Sequence, residues 1–220
     1  MDKTYKALLA GASGLIGSSL LHELLNGDVY SEIEVWSRNS LGISHPKLKE
    51  KIIDFNEIID IPSSSVDHVF CCLGTTIKKA KSQEAFRKVD FEYVVELAKY
   101  AEISGASKFF VISSLGANKD SATFYLRTKG EMEESLKHIF LPAVYILRPS
   151  LLLGKRKEFR FGEIIAQGLA PVFGLLLFGK LKKYKGIKAS TIAKAMLHLA
   201  KEDGKGLIIL DSDKIQEAGK

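Results

Sequence analysis

Cysteine is almost absent from this 220-residue chain: there are two, Cys71 and Cys72, and they are neighbours. Adjacent side chains on an extended strand point to opposite faces, so the pair reads as two reduced thiols and not as a disulfide. No metal-ligand spacing exists, and a chain this poor in cysteine suits a reducing compartment. A membrane-spanning run is missing too. The one tempting segment, "IIAQGLAPVFGLLLFG" from Ile164 to Gly179, is broken by proline and glycine. It stops short of the ~20 apolar residues a span requires, and is expected to be a core helix, a pocket wall or a subunit contact. The opening "MDKTYK" is polar and shows no secretory leader. These absences set the expectation of a cytoplasmic protein without a membrane span.

Apolar residues make up 46% of the chain, enough for a full core, and the net charge is +6. The lysines bunch at Lys78 to Lys81, Lys155 to Arg160 and Lys180 to Lys188. The aromatic residues among them, Phe159 and Tyr184, are too few for a base-stacking surface, so a nucleic-acid partner is not expected. Solvated loops and a phosphate-bearing ligand account for them instead.

Short apolar runs alternate with helical patterns along the whole chain. "KALLAG" precedes a helical stretch from Leu15 to Leu25. "IEVWS" (Ile33 to Ser37) and "KIID" (Lys51 to Asp54) follow, then "DHVFCCLG" (Asp67 to Gly74) and one long amphipathic helix from Glu84 to Ser104. "KFFVISS" (Lys108 to Ser114), a helix from about Ala122 to Lys137, "AVYILRP" (Ala143 to Pro149), a helix from Ala189 to Lys201 and "GLIIL" complete the order. Strands separated by helices of this length imply right-handed βαβ units in a doubly wound, mostly parallel α/β sheet. Residues 1–220 are expected to form one such domain, with 150–190 as a substrate-side segment.

The first βα turn reads "GASGLIG". Gly11 permits a sharp turn, Gly14 lets backbone amides approach a pyrophosphate, and Gly17 permits close helix–strand packing. The helix that follows aims its unpaired N–H groups at that anion, and Ser13 adds a hydroxyl. The second strand should end in a ribose-reading group: an acid for NAD, an arginine for NADP. It ends in Ser37-Arg38, and Glu34 comes too early, so NADP(H) is expected over NAD(H). Asp54 and Phe55, closing the third strand, are candidates for the adenine edge. Leu73 and Gly74, closing the fourth, would lie along the cofactor.

The fifth strand ends in Ser113-Ser114, and Tyr125 and Lys129 follow four residues apart on the next helix. That spacing puts phenol and ammonium on one face. An adjacent ammonium favours phenolate and brings tyrosine towards useful proton transfer with a carbonyl oxygen. A strand-tip serine would orient that oxygen; either position is open, and Ser114 is expected in that role. Tyr184 and Lys188 share the same spacing, but no serine-ended strand precedes them.

These motifs, with "LRPSLLLG" after the sixth strand, resemble an atypical short-chain dehydrogenase/reductase. "CCLGTT", "SSLGANKD" and "FYLRTKGEMEESL" are most similar to the Tat-interacting-protein-like oxidoreductases and their bacterial relatives. The resemblance runs from about Lys6 to the C-terminus and is strongest between Cys71 and Gly154. It implies a Rossmann sheet binding NADP(H), with Tyr125 as proton donor or acceptor and Lys129 as its partner. Cofactor contacts implied by the resemblance fall on Ser13, Gly14, Leu15, Ile16, Arg38, Leu73 and Arg156. The expected activity is hydride transfer between nicotinamide and a small carbonyl or alcohol. A cofactor sensor without turnover and an epimerase or dehydratase are the alternatives, and oligomeric state is open.

Overall fold

The computed structural model describes residues 4–153 and 184–220. Seven strands form its sheet: β1 (Tyr5–Ala10), β2 (Tyr30–Ser37), β3 (Leu48–Ile52), β4 (His68–Cys71), β5 (Lys108–Ile112), β6 (Ala143–Arg148) and β9 (Gly206–Asp211). They are ordered β3-β2-β1-β4-β5-β6-β9 and every pairing is parallel. A short parallel pair, β7 (Leu152–Leu153) with β8 (Ile187–Lys188), lies apart from it. The central strands are buried on both faces, which is why "ALLA" and "VFC" are continuous apolar runs without alternation.

Helices cover both faces. On one, α1 (Leu15–Asn26) packs on α6 (Ala189–Lys201), with Leu20, Leu24, Ile192 and Met196 buried between them and the sheet. On the other, α4 (Tyr93–Ile103) and α5 (Phe124–Leu136) bury Val94, Leu97, Met132 and Leu136 against Trp36, Phe109 and Val111. The helix α7 (Ser212–Ala218) closes the chain. Phe70, Phe110 and Tyr145 are register partners on β4, β5 and β6. They stack with centroids 4.8 and 4.5 Å apart. Such cross-strand aromatic contacts help fix the register of parallel strands.

Several expected boundaries move. β2 starts at Tyr30, three residues before Ile33, while β3 runs Leu48–Ile52 and ends before Asp54. Asp54 instead accepts from the Asn56 N–H at 2.9 Å and caps a 3-10 turn, Phe55–Asp60. The long helix expected over Glu84–Ser104 is three segments: α3 (Gln83–Arg87), a π-helical turn (Lys88–Glu92) and α4, with a short α2 (Ile77–Ala80) before them. Each of α2 and α3 is capped by a hydroxyl, from Thr76 and Ser82. Cys71 and Cys72 are both buried thiols, and burial pushes the Cys71 thiol up to about 12. Among the described residues no helix is long and apolar enough to cross a membrane. The segment Ile164 to Gly179 lies outside them, as does most of the expected substrate-side region.

Candidate active site

The chain leaves β1 towards β2 and β3 on one side and towards β4, β5 and β6 on the other. The carboxyl ends of β1 and β4 therefore border a crevice at the switch point. A cleft of about 710 Å³ opens there. Its lining includes Gly11, Ser13, Gly14, Leu15 and Ile16 from the first turn, Arg38 from the tip of β2, Asp54 and Phe55 after β3, and Leu73 and Gly74 after β4. Tyr125 and Lys129 from α5 complete it. Gly17 is not in the lining; it is buried under the turn. Arg156 lies outside the described residues.

The glycines have separable steric reasons. Gly11 has φ +89°, and a Cβ there would stand 2.5 Å from the Cys72 carbonyl oxygen. A Cβ on Gly17 would stand 2.1 Å from the Gly11 oxygen, so this glycine lets α1 sit directly on the turn. Gly14 is the N-cap of α1, with no side-chain cap and no acid in the first turn. The first N–H groups of that helix are thus not consumed by a neighbouring carboxylate or hydroxyl, which suits an anion. The turn fits a dinucleotide pyrophosphate.

At the far end, Glu50 shapes the loop that follows β2. Its carboxylate accepts from the Ser40 hydroxyl at 2.7 Å and the Leu41 N–H at 2.6 Å. These bonds, Ser40 first, hold it below the ordinary carboxylate range. Arg38 is exposed beside this loop. Glu34 accepts the Trp36 indole N–H at 2.5 Å and does not line the cleft. Tyr93 donates to Asn56 at 2.9 Å and packs on Phe55, and all three reach the cleft.

Of the two serines, Ser113 lines the cleft, and Ser114 does not. Ser114 is fully buried with its hydroxyl donating to the Leu115 carbonyl at 3.3 Å, so of the two it is Ser113, and not the expected Ser114, that the structure brings to the cleft. Successive residues at a strand tip face opposite ways, and one residue decides which enters the crevice. The Ser113 hydroxyl donates to Glu133, which also takes a bidentate ion pair from Arg148. Lys129 is 3% exposed. Its ammonium is 2.8 Å from Asp90 and donates to the Ile112 carbonyl at 3.2 Å. Neither Tyr184 nor Lys188 lines the cleft.

Asp90, Glu133 and Arg148 were not among the candidates from sequence. A signal for two of them was present: Phe86, Asp90 and Val94 fall at four-residue steps, putting a carboxylate on the apolar side of an amphipathic stretch, and Glu133 continues the Tyr125–Lys129 face.

The HIM1 family matches over residues 38–175. Protein HTATIP2 from Rattus norvegicus is 32% identical over 218 residues, covering 96% of this chain and 88% of that protein. Protein FMP52, mitochondrial, from Debaryomyces hansenii is 31% identical over 202 residues, covering 89% of this chain and 88% of its own. Further fungal relatives carry the same mitochondrial name, which overturns the expectation of a cytoplasmic protein. That expectation rested on cysteine usage and a polar opening, and neither feature distinguishes cytosol from mitochondrion.

Two solved structures share the fold. One is MoeE5 in complex with UDP-glucose and NAD, at TM-score 0.67 and 17% identity, covering 96% of this chain and 79% of the other. The second is human epimerase family protein SDR39U1 with NADPH, at TM-score 0.62 and 16% identity, covering 94% and 74%. With its parallel seven-stranded sheet, its glycine turn at the switch point and these relatives, the chain belongs to the HIM1 family, an atypical branch of the short-chain dehydrogenases/reductases on a Rossmann fold.

Proposed function

We propose that the protein is an NADP(H)-dependent oxidoreductase acting on a small carbonyl or alcohol. The observation that carries this is the meeting of Tyr125 and Lys129 with the Gly11–Gly14 turn in one cleft. The bound nicotinamide would supply or accept the hydride. The α1 N-terminus and Gly14 would hold the pyrophosphate, Arg38 the 2′-phosphate, and Phe55 with Tyr93 the adenine side. A guanidinium matches a phosphate dianion in shape and permanent charge, and that favours NADP(H) over NAD(H).

Tyr125 would give a proton to the substrate oxygen or take one from it, and Lys129 would hold the phenol and the nicotinamide ribose in place. Ser113 has its single hydroxyl proton committed to Glu133. Towards the cleft it offers lone pairs, so it would accept from a substrate hydroxyl or from the protonated Tyr125. In an NADPH-oxidation screen over aldehydes and ketones, Tyr125→Phe should lower kcat by about 10²–10⁴-fold with NADPH affinity unchanged. Full turnover in that variant would remove the assignment.

A further inference from the structure

The two edges of the sheet are finished differently. β3 carries Lys49, Glu50 and Lys51 at its centre, the charged finish that keeps an open edge from pairing. β9 reads "GLIILD", with four apolar residues in a row, and among the described residues no strand pairs with its outer side. Leu207 is 38% and Ile209 42% exposed. The Gly206 N–H donates to the Pro142 carbonyl at 2.8 Å, so by strand alternation Gly206, Ile208 and Leu210 turn their main chain towards β6. Leu207, Ile209 and Asp211 turn theirs outwards. Their side chains share one face with their register partners Val144, Ile146 and Arg148. Lys205 immediately precedes the strand, so a cation stands at one end of this edge and an anion at the other.

We infer that β9 is the contact between two copies of this chain, paired antiparallel about a two-fold axis at Ile208 and joining their sheets into one. In that register Leu207 of each copy opposes Ile209 of the other, and each such pair can exchange both main-chain bonds, because both residues face outwards. The exposed apolar side chains meet as cross-strand neighbours. Lys205 of one copy comes level with Asp211 of the other, twice over, as an isologous contact requires. Neighbouring registers lose this match. Centring the axis on Ile209 sets Leu207 against Asp211, and centring it on Leu207 brings Asp203 level with Asp211, like charge on like. The edge is therefore complementary to itself in main chain, apolar surface and charge.

Sedimentation velocity of the full chain tests this without any ligand. One strand pair is a contact of transient size, so between about 1 and about 500 µM the 24.3 kDa species should give way to one of twice that mass. A chain that stays monomeric throughout overturns the inference. Ile209→Lys enters the contact twice and should raise the dimer Kd by about tenfold or more; a dimer that it leaves intact belongs to another surface and overturns the inference too. Lys205→Glu should weaken the dimer, and adding Asp211→Lys should recover it; a double variant no tighter than the single overturns the register. Amide hydrogen exchange on the unsubstituted chain reads the same contact whether or not a variant folds. The Leu207 and Ile209 amides should gain protection as concentration rises, while those of Ile208 and Leu210, already turned to β6, stay protected at every concentration. Leu207 and Ile209 amides that exchange alike in monomer and dimer overturn the pairing.

Discussion

Arg38 stands exposed at the tip of β2, where its guanidinium faces the cleft rim. A hydrogen bond to a charged group contributes about 1.5–3 kcal/mol. Arg38→Ala should therefore weaken NADPH binding by roughly 10–100-fold while leaving NADH nearly unchanged, as read by isothermal titration calorimetry. Loss for both cofactors alike would remove the 2′-phosphate from Arg38. Glu133 is a second residue whose partners set the expectation. It is 4% exposed and holds both Ser113 and Arg148. Removing it strands a guanidinium that is 25% exposed, so the cost is discounted for the water it can reach. Glu133→Ala should destabilise by about 2–3 kcal/mol, seen as a lower urea midpoint, and Glu133→Gln by less. The Tyr30 hydroxyl meets His68 Nδ1 at 2.7 Å in a fully buried pair. It has no bearing on the cleft, and burial raises the Tyr30 pKa well above its ordinary value.

Helix α5 carries its own packing constraint immediately after the lysine. A Cβ on Gly130 would stand 2.1 Å from the Lys119 backbone nitrogen and 2.2 Å from the Asn118 carbonyl carbon, because the loop after β5 crosses the helix there. A mid-helix glycine to alanine change ordinarily stabilises by up to about 1 kcal/mol. Here the sign reverses. Gly130→Ala should destabilise by about 1–3 kcal/mol in chemical denaturation, since the obstacle is backbone and cannot rotate away. A stabilised variant would mean that the loop does not press on the helix. The β2–β3 loop has a pH-sensitive clasp in Glu50. Its folded carboxyl titrates below the ordinary 4.5, so its contribution is complete above that value and disappears as pH falls through the lowered one. The Leu41 amide resonance should follow a transition below pH 4.5 that Glu50→Gln abolishes. An amide that ignores this range would detach the loop from Glu50.

For the whole molecule, selective cofactor binding should appear as stability. NADPH at ~100 times its dissociation constant adds about 2.7 kcal/mol to a fold that binds it only when native. For a chain of this size that raises Tm by roughly 5–10 °C in differential scanning calorimetry, and NADH at equal concentration should do much less. The fold itself was legible because a doubly covered parallel sheet writes its strands as unbroken apolar runs, such as "ALLA" and "FFVI", and its helices as amphipathic ones. The glycine turn and Tyr125–Lys129 were legible for the same local reason, since each needs only short-range spacing. The π-turn was not, because an amphipathic pattern reads smoothly across one extra residue, and Asp90 stayed hidden with it. Which serine reaches the cleft was not legible, because one residue of register at a strand tip reverses the facing side chain. One feature of the frame reaches beyond any single site. β7 and β8 pair Leu152 with Ile187 and Leu153 with Lys188, and the Ile187 N–H donates to the Leu151 carbonyl at 2.9 Å. The chain thus departs and rejoins at adjoining points beside Pro149, Leu151 and Leu152 on the cleft wall. Leu151 and Leu152 are thereby held on the cleft wall by main-chain bonds, so a side-chain change at either position alters the surface offered to the cleft without loosening the stems that carry it.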